Sequence, residues 1–278
     1  MSKKQVTQEY FDNIVKENLE EFSMPLDEAL NDAIEQLKSQ NIDLTNIVKF
    51  GPHETDQLAN SISKLENFVR ADKLDVDEEE INEIKKAVEI LKEKFHKDIS
   101  FRVLATKKSN ANSVFITFLQ KFHLHSEFIV DFIQMYNLYL TNQTDVLMLD
   151  TIKSLIRLTK DAKSIDLLKN LLKLLVTSCV LCENNRQMYV ENGLCELLID
   201  LFQEYKKSNL ILVEICNLIR NLLLDDDLRV EFGRSHEHAK FIASQLNGLD
   251  VLLSIALCKY LVFLFIVIFF TYVFSYDS

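Results

Sequence analysis

Three clusters in the sequence combine residue types that do chemistry. Cys179 and Cys182 have the spacing with which paired thiolates hold zinc or cycle through a disulfide. His236 and His238 offer two imidazoles, and Asp225, Asp226 and Asp227 offer three consecutive carboxylates that suit a divalent cation. Each has a plainer reading. The two cysteines extend an apolar stripe that starts at Leu168 and runs through Leu171, Leu172 and Leu175, so packing explains them better than a site. The histidine pair has no further ligand near it in sequence. Three carboxylates ahead of a helix cap its first N–H groups and complement its dipole. Neither a Gly-rich phosphate loop, a zinc-protease motif nor a serine elbow occurs. The expectation is a chain that is not an enzyme, with no catalytic residues, no metal and no cofactor.

Binding chemistry has better candidates. Asn217, Arg220 and Asn221 lie on a helix whose apolar residues are Ile211, Ile215, Leu218, Ile219 and Leu222. Amides at i and i+4 can bond the backbone of a guest peptide, and they can equally bond neighbouring repeats; both readings stand. Arg220 is the residue of the three that is hardest to bury unpaired. A net charge of −11 disfavours a broad surface for DNA or RNA phosphates. The expected partners are therefore proteins, with no nucleic acid.

These residues need helices to position them. The 278 residues include four Gly, two Pro and no Trp, too few turn formers for a β fold. Between Asn184 and Tyr205 the sequence reads as helix, glycine break at Gly193, and helix. Leu194, Leu197, Leu198, Leu201 and Phe202 then form one apolar stripe. The wording Asn192-Gly193-Leu194-x-x-Leu197-Leu198 recurs as Asn247-Gly248-Leu249-x-x-Leu252-Leu253, with its stripe continuing to Leu257. A weaker copy, Thr151-Ile152-x-x-Leu155-Ile156, comes earlier, at a distance from Gly193 inside the roughly 40 to 47 residue period of armadillo-type repeats. Such repetition predicts an all-α fold, an armadillo-type right-handed α-solenoid with an N-terminal helical extension. Residues 1–50 read as a helical hairpin, with stripes through Phe11, Ile14, Val15 and Leu19 and through Leu30, Ala33 and Leu37. Residues 51–99 read as a linker and two amphipathic helices, 100–257 as the repeats and 258–278 as a hydrophobic tail. One of the later helices is expected to run from Ile165 to Cys182.

Several segments carry a resemblance. Gln8 to Asp12 with Glu17 to Phe22, Asp145-Val146-Leu147, Glu183 to Gln187, and Asp225 to Gly233 continuing through His236 to Lys240 are similar to the armadillo repeat-containing protein 6 family. The match spans residues 1 to about 257 and thins between Pro52 and Ser100. It implies an armadillo fold and an interaction role, with no catalytic residues to carry over, and its repeat insertion accounts for the wide spacing of the later copies. Two features depart from the family. The Asn ladder of the inner helices survives in Asn217 and Asn221 without its Trp, and the family continues with further repeats.

The tail from Tyr260 to Phe274 is one unbroken apolar run, shorter than the roughly 20 residues that span a bilayer. It reads as a tail anchor or as translated non-coding sequence. The second reading is preferred, because lengthening the span would draw the repeat stripe at Leu249–Leu257 into lipid, and because Cys258-Lys259-Tyr260 can be encoded with a splice-donor word. The chain is expected in the cytosol or nucleus, since five cysteines suit a reducing compartment; the alternative is membrane association through the tail.

Overall fold

In a computed structural model, described for residues 4–245 apart from 72 and 144, the chain divides into two units, Met1–Tyr139 and Leu140–Ser278. The first begins with α1 (Gln8–Glu20) and α2 (Leu26–Ser39). The Thr7 hydroxyl accepts the Tyr10 N–H and starts α1, and Asp27 and Glu28 complement the positive end of α2. Phe11, Ile14 and Val15 pack against Ala29, Leu30, Ala33 and Leu37, and Ile42, Leu44 and Ile47 of the following segment close over them. Full burial of a Leu or Phe contributes about 1.5–3 kcal/mol each. Two short parallel strands, β1 (Lys4–Gln5) and β2 (Ile42–Asp43), fix that return. The buried Gln8 amide ties it again: Nε2 donates to the Val48 carbonyl at 2.9 Å and Oε1 accepts the Val48 N–H at 2.8 Å.

Five helices complete this unit: α3 (Pro52–Arg70), α4 (Glu78–Lys97), α5 (Ile99–Ser109), α6 (Ala111–Phe122) and α7 (Ile129–Leu140). Gly51, at φ 79°, admits α3, with Pro52 opening its first turn. Asp77 and Glu80 form a reciprocal capping box at the start of α4, which accounts for the acidic run there. At the far end of α3 the Lys121 ammonium of α6 donates to the carbonyls of Phe68, at 2.8 Å, Val69 and Ala71. A cation thus closes the negative end of that helix. The core is aromatic, with Phe115 edge-on to Phe132, Tyr136 and Tyr139.

The second unit holds α8 (Leu149–Lys160), α9 (Ile165–Cys179), α10 (Glu183–Glu191), α11 (Leu194–Glu204), α12 (Asn209–Leu222) and α13 (Ser235–Lys240), with a π-helical turn over Phe241–Gln245. Gly193, at φ 88°, is the break between α10 and α11, a backbone conformation that a side chain would resist. Here α8 lies against α11, and α9 against α12. The Thr151 and Leu194 copies of the sequence thus begin equivalent helices set side by side, each burying its apolar stripe on the next. The later copy at Gly248, its stripe to Leu257 and the apolar run from Tyr260 lie outside the described residues.

One boundary corrects the sequence reading. Helix α9 stops at Cys179; Leu181, at φ 52°, turns the chain, and Cys182 stands immediately before α10. Both cysteines are buried, but on different elements.

Candidate functional site

The polar centre of the second unit is built on the first turn of α10. Cys182, just before it, supplies no capping bond, so the Glu183 N–H is satisfied from elsewhere: it donates to Asp227 Oδ2 at 3.0 Å. One turn on, Arg186 is 0% exposed. Its Nε donates to Glu183 Oε2 at 2.9 Å, and its Nη1 to Asp226 Oδ1 at 2.5 Å and the Cys179 carbonyl at 3.2 Å. Glu183 Oε1 accepts from Gln187 Nε2 at 3.0 Å and from the Arg234 N–H at 2.7 Å. Asp227 also takes two bonds from the Arg229 guanidinium at 2.8 Å each, and Arg229 reaches on to Asp145 and to the Leu181 carbonyl. At Gly233 the chain passes so close that a Cβ would lie 2.6 Å from Asp225 Oδ1.

Charge is held firmly here. Burial opposes ionisation of Glu183, yet the Arg234 N–H, Gln187 and Arg186 outweigh it and keep the carboxyl below its usual value. Burial likewise opposes the Arg186 cation, and Asp226 and Glu183 outweigh it. The Arg229 guanidinium holds Asp227 well below the ordinary carboxylate range. An arrangement of paired charges fastens chain segments together; Glu183, Asp226 and Asp227 are spent on cations and N–H groups.

The structure places the residues singled out in the sequence as follows. Of the three aspartates, Asp227 accepts the first N–H of α10, some forty residues earlier, rather than one of α13 downstream, and Asp226 pairs with the Arg186 side chain. A long-range pairing of this kind leaves no local pattern. Cys179 is buried and its thiol pushed far up by that burial, as an apolar packing residue's would be, and the Cys182 thiol lies 3.8 Å from Asp145. His238 is buried with Nδ1 3.0 Å from the Leu222 carbonyl. Among the described residues no group of three His, Cys, Asp or Glu side chains is placed to hold a metal ion. Asn217 and Arg220 are exposed on α12, and Asn221, half-buried, donates Nδ2 to the Asn217 carbonyl at 2.8 Å. The amide side chain is thus turned back on its own helix rather than onto a neighbouring one. In the first unit, a groove of about 630 Å³ between α4 and α7 is lined by ionisable groups of both signs, with Lys92 bonded to Asp131 and Gln134.

Sequence reasoning missed Arg186 as an organising residue. The available signal was that Asp145, Glu183–Gln187 and Asp225–Gly233 all lie in segments that carry the family resemblance, and the structure brings these segments together. Comparison with known proteins agrees. Residues 3–64 match the family model described as the armadillo repeat-containing protein 6 N-terminal domain. The chain is an armadillo repeat-containing protein 6 relative. It is 29% identical over 262 residues to the protein of that name from Homo sapiens, and also to that from Pongo abelii, covering 91% of this chain and 51% of theirs. With the Drosophila melanogaster homolog of armadillo repeat-containing protein 6 it shares 31% identity over 255 residues, 87% of this chain and 53% of the fly protein. The chain thus spans about half the length of the curated relatives it matches. No solved structure matches it. The all-α, armadillo-like fold class read from the repeats holds.

Proposed function

We propose that the chain is a non-enzymatic protein-interaction scaffold that docks a protein partner on the outward side of α12. One observation carries this reading. Helix α12 buries Ile211, Ile215, Leu218, Ile219 and Leu222 against the stack, while Leu210, Val213, Asn217 and Arg220 form an exposed stripe at helical spacing. Mixed apolar and amide or guanidinium groups on a rigid helix suit recognition of a peptide segment. Next to it, Lys173 of α9 approaches Glu214 of α12 to 3.8 Å, so charges of both signs border the stripe. The relatives, named for their armadillo repeats, support a repeat protein that acts through binding.

The compartment that fits is the cytosol or nucleus. Cys179, Cys182, Cys195 and Cys216 are free thiols, three of them buried, which suits reducing surroundings. Among the described residues no helix is long and apolar enough to cross a membrane.

The test is affinity capture from cytosolic extract with the full chain and with Asn217→Ala plus Asn221→Ala, alongside circular dichroism of both proteins. A partner lost by the variant, with helicity and thermal midpoint retained, supports the α12 face. Identical partners on both proteins remove it.

A further inference from the structure

The segment between α12 and α13 is built with its sides reversed. Asp226 and Asp227 point in to Arg186 and the α10 amide, Arg229 bridges Asp227 and Asp145, and the Arg234 N–H is taken by Glu183. The apolar residues between them point out: Leu228 is 99% exposed and Phe232 is 80% exposed, with Val230 partly so. Folding alone would reject this pattern, since a loop gains nothing by showing its apolar side chains to water while ordering its polar ones. Two other exposed apolar residues border the same bridge. Leu181 offers its carbonyl to Arg229, and Met148 lies three residues after Asp145 on extended chain. Leu181 and Asp145 are both at positive φ, 52° and 66°, which for the leucine is a strained backbone, and both accept from Arg229.

From this geometry we infer that the loop 225–234 is a second docking surface, one that takes a protein segment with apolar side chains flanked by lysine or arginine. The apolar half of that description comes from Leu228, Phe232 and Leu181. The basic half comes from the surroundings, where exposed Asp225, Glu231, Glu191 and Glu237 outnumber exposed Arg229, Arg234 and Lys240; Glu191 and Glu237 face Arg234, and Asp225 and Glu231 remain to meet a partner's cation. An acidic rim around an apolar centre selects a basic partner and speeds its encounter. Because salt links fix the loop before anything binds, little ordering is needed on docking. This surface is separate from the α12 stripe and stands whether or not that stripe binds.

The probe is a displayed library of random peptides of about 12 residues, selected on the full chain and counter-selected on Leu228→Ser plus Phe232→Ser. Enriched peptides are then synthesised and titrated by fluorescence anisotropy. The expected consensus carries two or more apolar anchors beside Lys or Arg, binds the double variant at least tenfold more weakly, and weakens with added salt. Glu231→Lys, which leaves the apolar residues alone, weakens it too. Four results overturn the inference: no consensus above counter-selection, an acidic or uncharged consensus, a self-association of the chain that the double variant abolishes, or a fall of several degrees in the variant's thermal midpoint. The third result makes the occupant a second copy. The last means the chain itself covers the loop.

Discussion

Replacing Arg186 by Met tests the account of the polar centre most directly. Met keeps much of the volume and removes the charge, so the cost falls on what the guanidinium leaves behind. Glu183 is 1% exposed and would lose the cation bonded to one of its oxygens, while retaining Gln187 and the Arg234 N–H on the other. Asp226, whose side chain is 28% exposed, can regain water. Breaking a buried pair by removing one partner costs about 3–5 kcal/mol, and the two retained bonds place this case near about 3 kcal/mol. That is a large part of a typical domain's stability of about 5–15 kcal/mol. The second arm is Arg186→Met with Glu183→Gln, which removes both charges and keeps an acceptor for Gln187 and Arg234. This double variant is expected to recover at least about half the loss, because a pair replaced by neutral groups of similar size is close to neutral. Urea unfolding followed by circular dichroism measures all three proteins. A single variant that loses less than about 1 kcal/mol would place Arg186 with ordinary surface ion pairs and refute the reasoning. A double variant no better than the single would refute it as well.

Three further outcomes follow from the same geometry. Glu183 and Asp227 both have folded values below their unfolded ones, so they contribute stability that is complete above the ordinary carboxylate range and lost as pH falls through and beneath it. Urea midpoints of the parent chain should therefore drop steeply as the solution is acidified below about pH 4.5, and the Glu183→Gln, Asp227→Asn variant should show a shallower slope. Lys121→Met should cost about 1–2 kcal/mol by stripping the last carbonyls of α3 of their donor, with faster hydrogen exchange confined to the final turn before Arg70; protection equal to the parent's there would count against the cap. Burial pushes the Cys195 and Cys216 thiols up to about 12, so iodoacetamide at pH 8 should leave both unmodified in the native chain and modify both in urea, as read by peptide mass mapping.

The helices were legible wherever a stripe was long and bounded. Phe11, Ile14 and Val15, or Leu194, Leu197 and Leu198, announce a buried face in any context, and these segments are α1 and α11. The resemblance between the Thr151 and Leu194 copies was also legible, and it becomes the α8–α11 and α9–α12 neighbours. The end of α9 was not. Cys179, Val180, Leu181 and Cys182 are as apolar as the helix before them, and the turn is made by a leucine in a conformation that glycine or asparagine would have advertised. The polar centre was hidden for a different reason: Arg186 looks like any charged residue near a helix start until Asp226 arrives beside it. The exposed stripe on α12 could be placed on a helix but not on a side, since apolar Leu210 and Val213 belong to the outward face along with Asn217.

The bond from the Glu183 amide to Asp227 sets a lower limit on where this molecule can be cut. In an ordinary stack of repeats each unit needs only its neighbour, and the ribosome can deliver them one after another. Here the opening turn of α10 stays unfinished, with the Arg186 guanidinium lacking its second counter-ion, Asp226, until roughly forty more residues have emerged. A fragment ending at Leu222 would retain every apolar stripe of α8–α12 and still lack the latch. Such a fragment should leave the ribosome as a substrate for chaperones, while one ending after Arg234 should not.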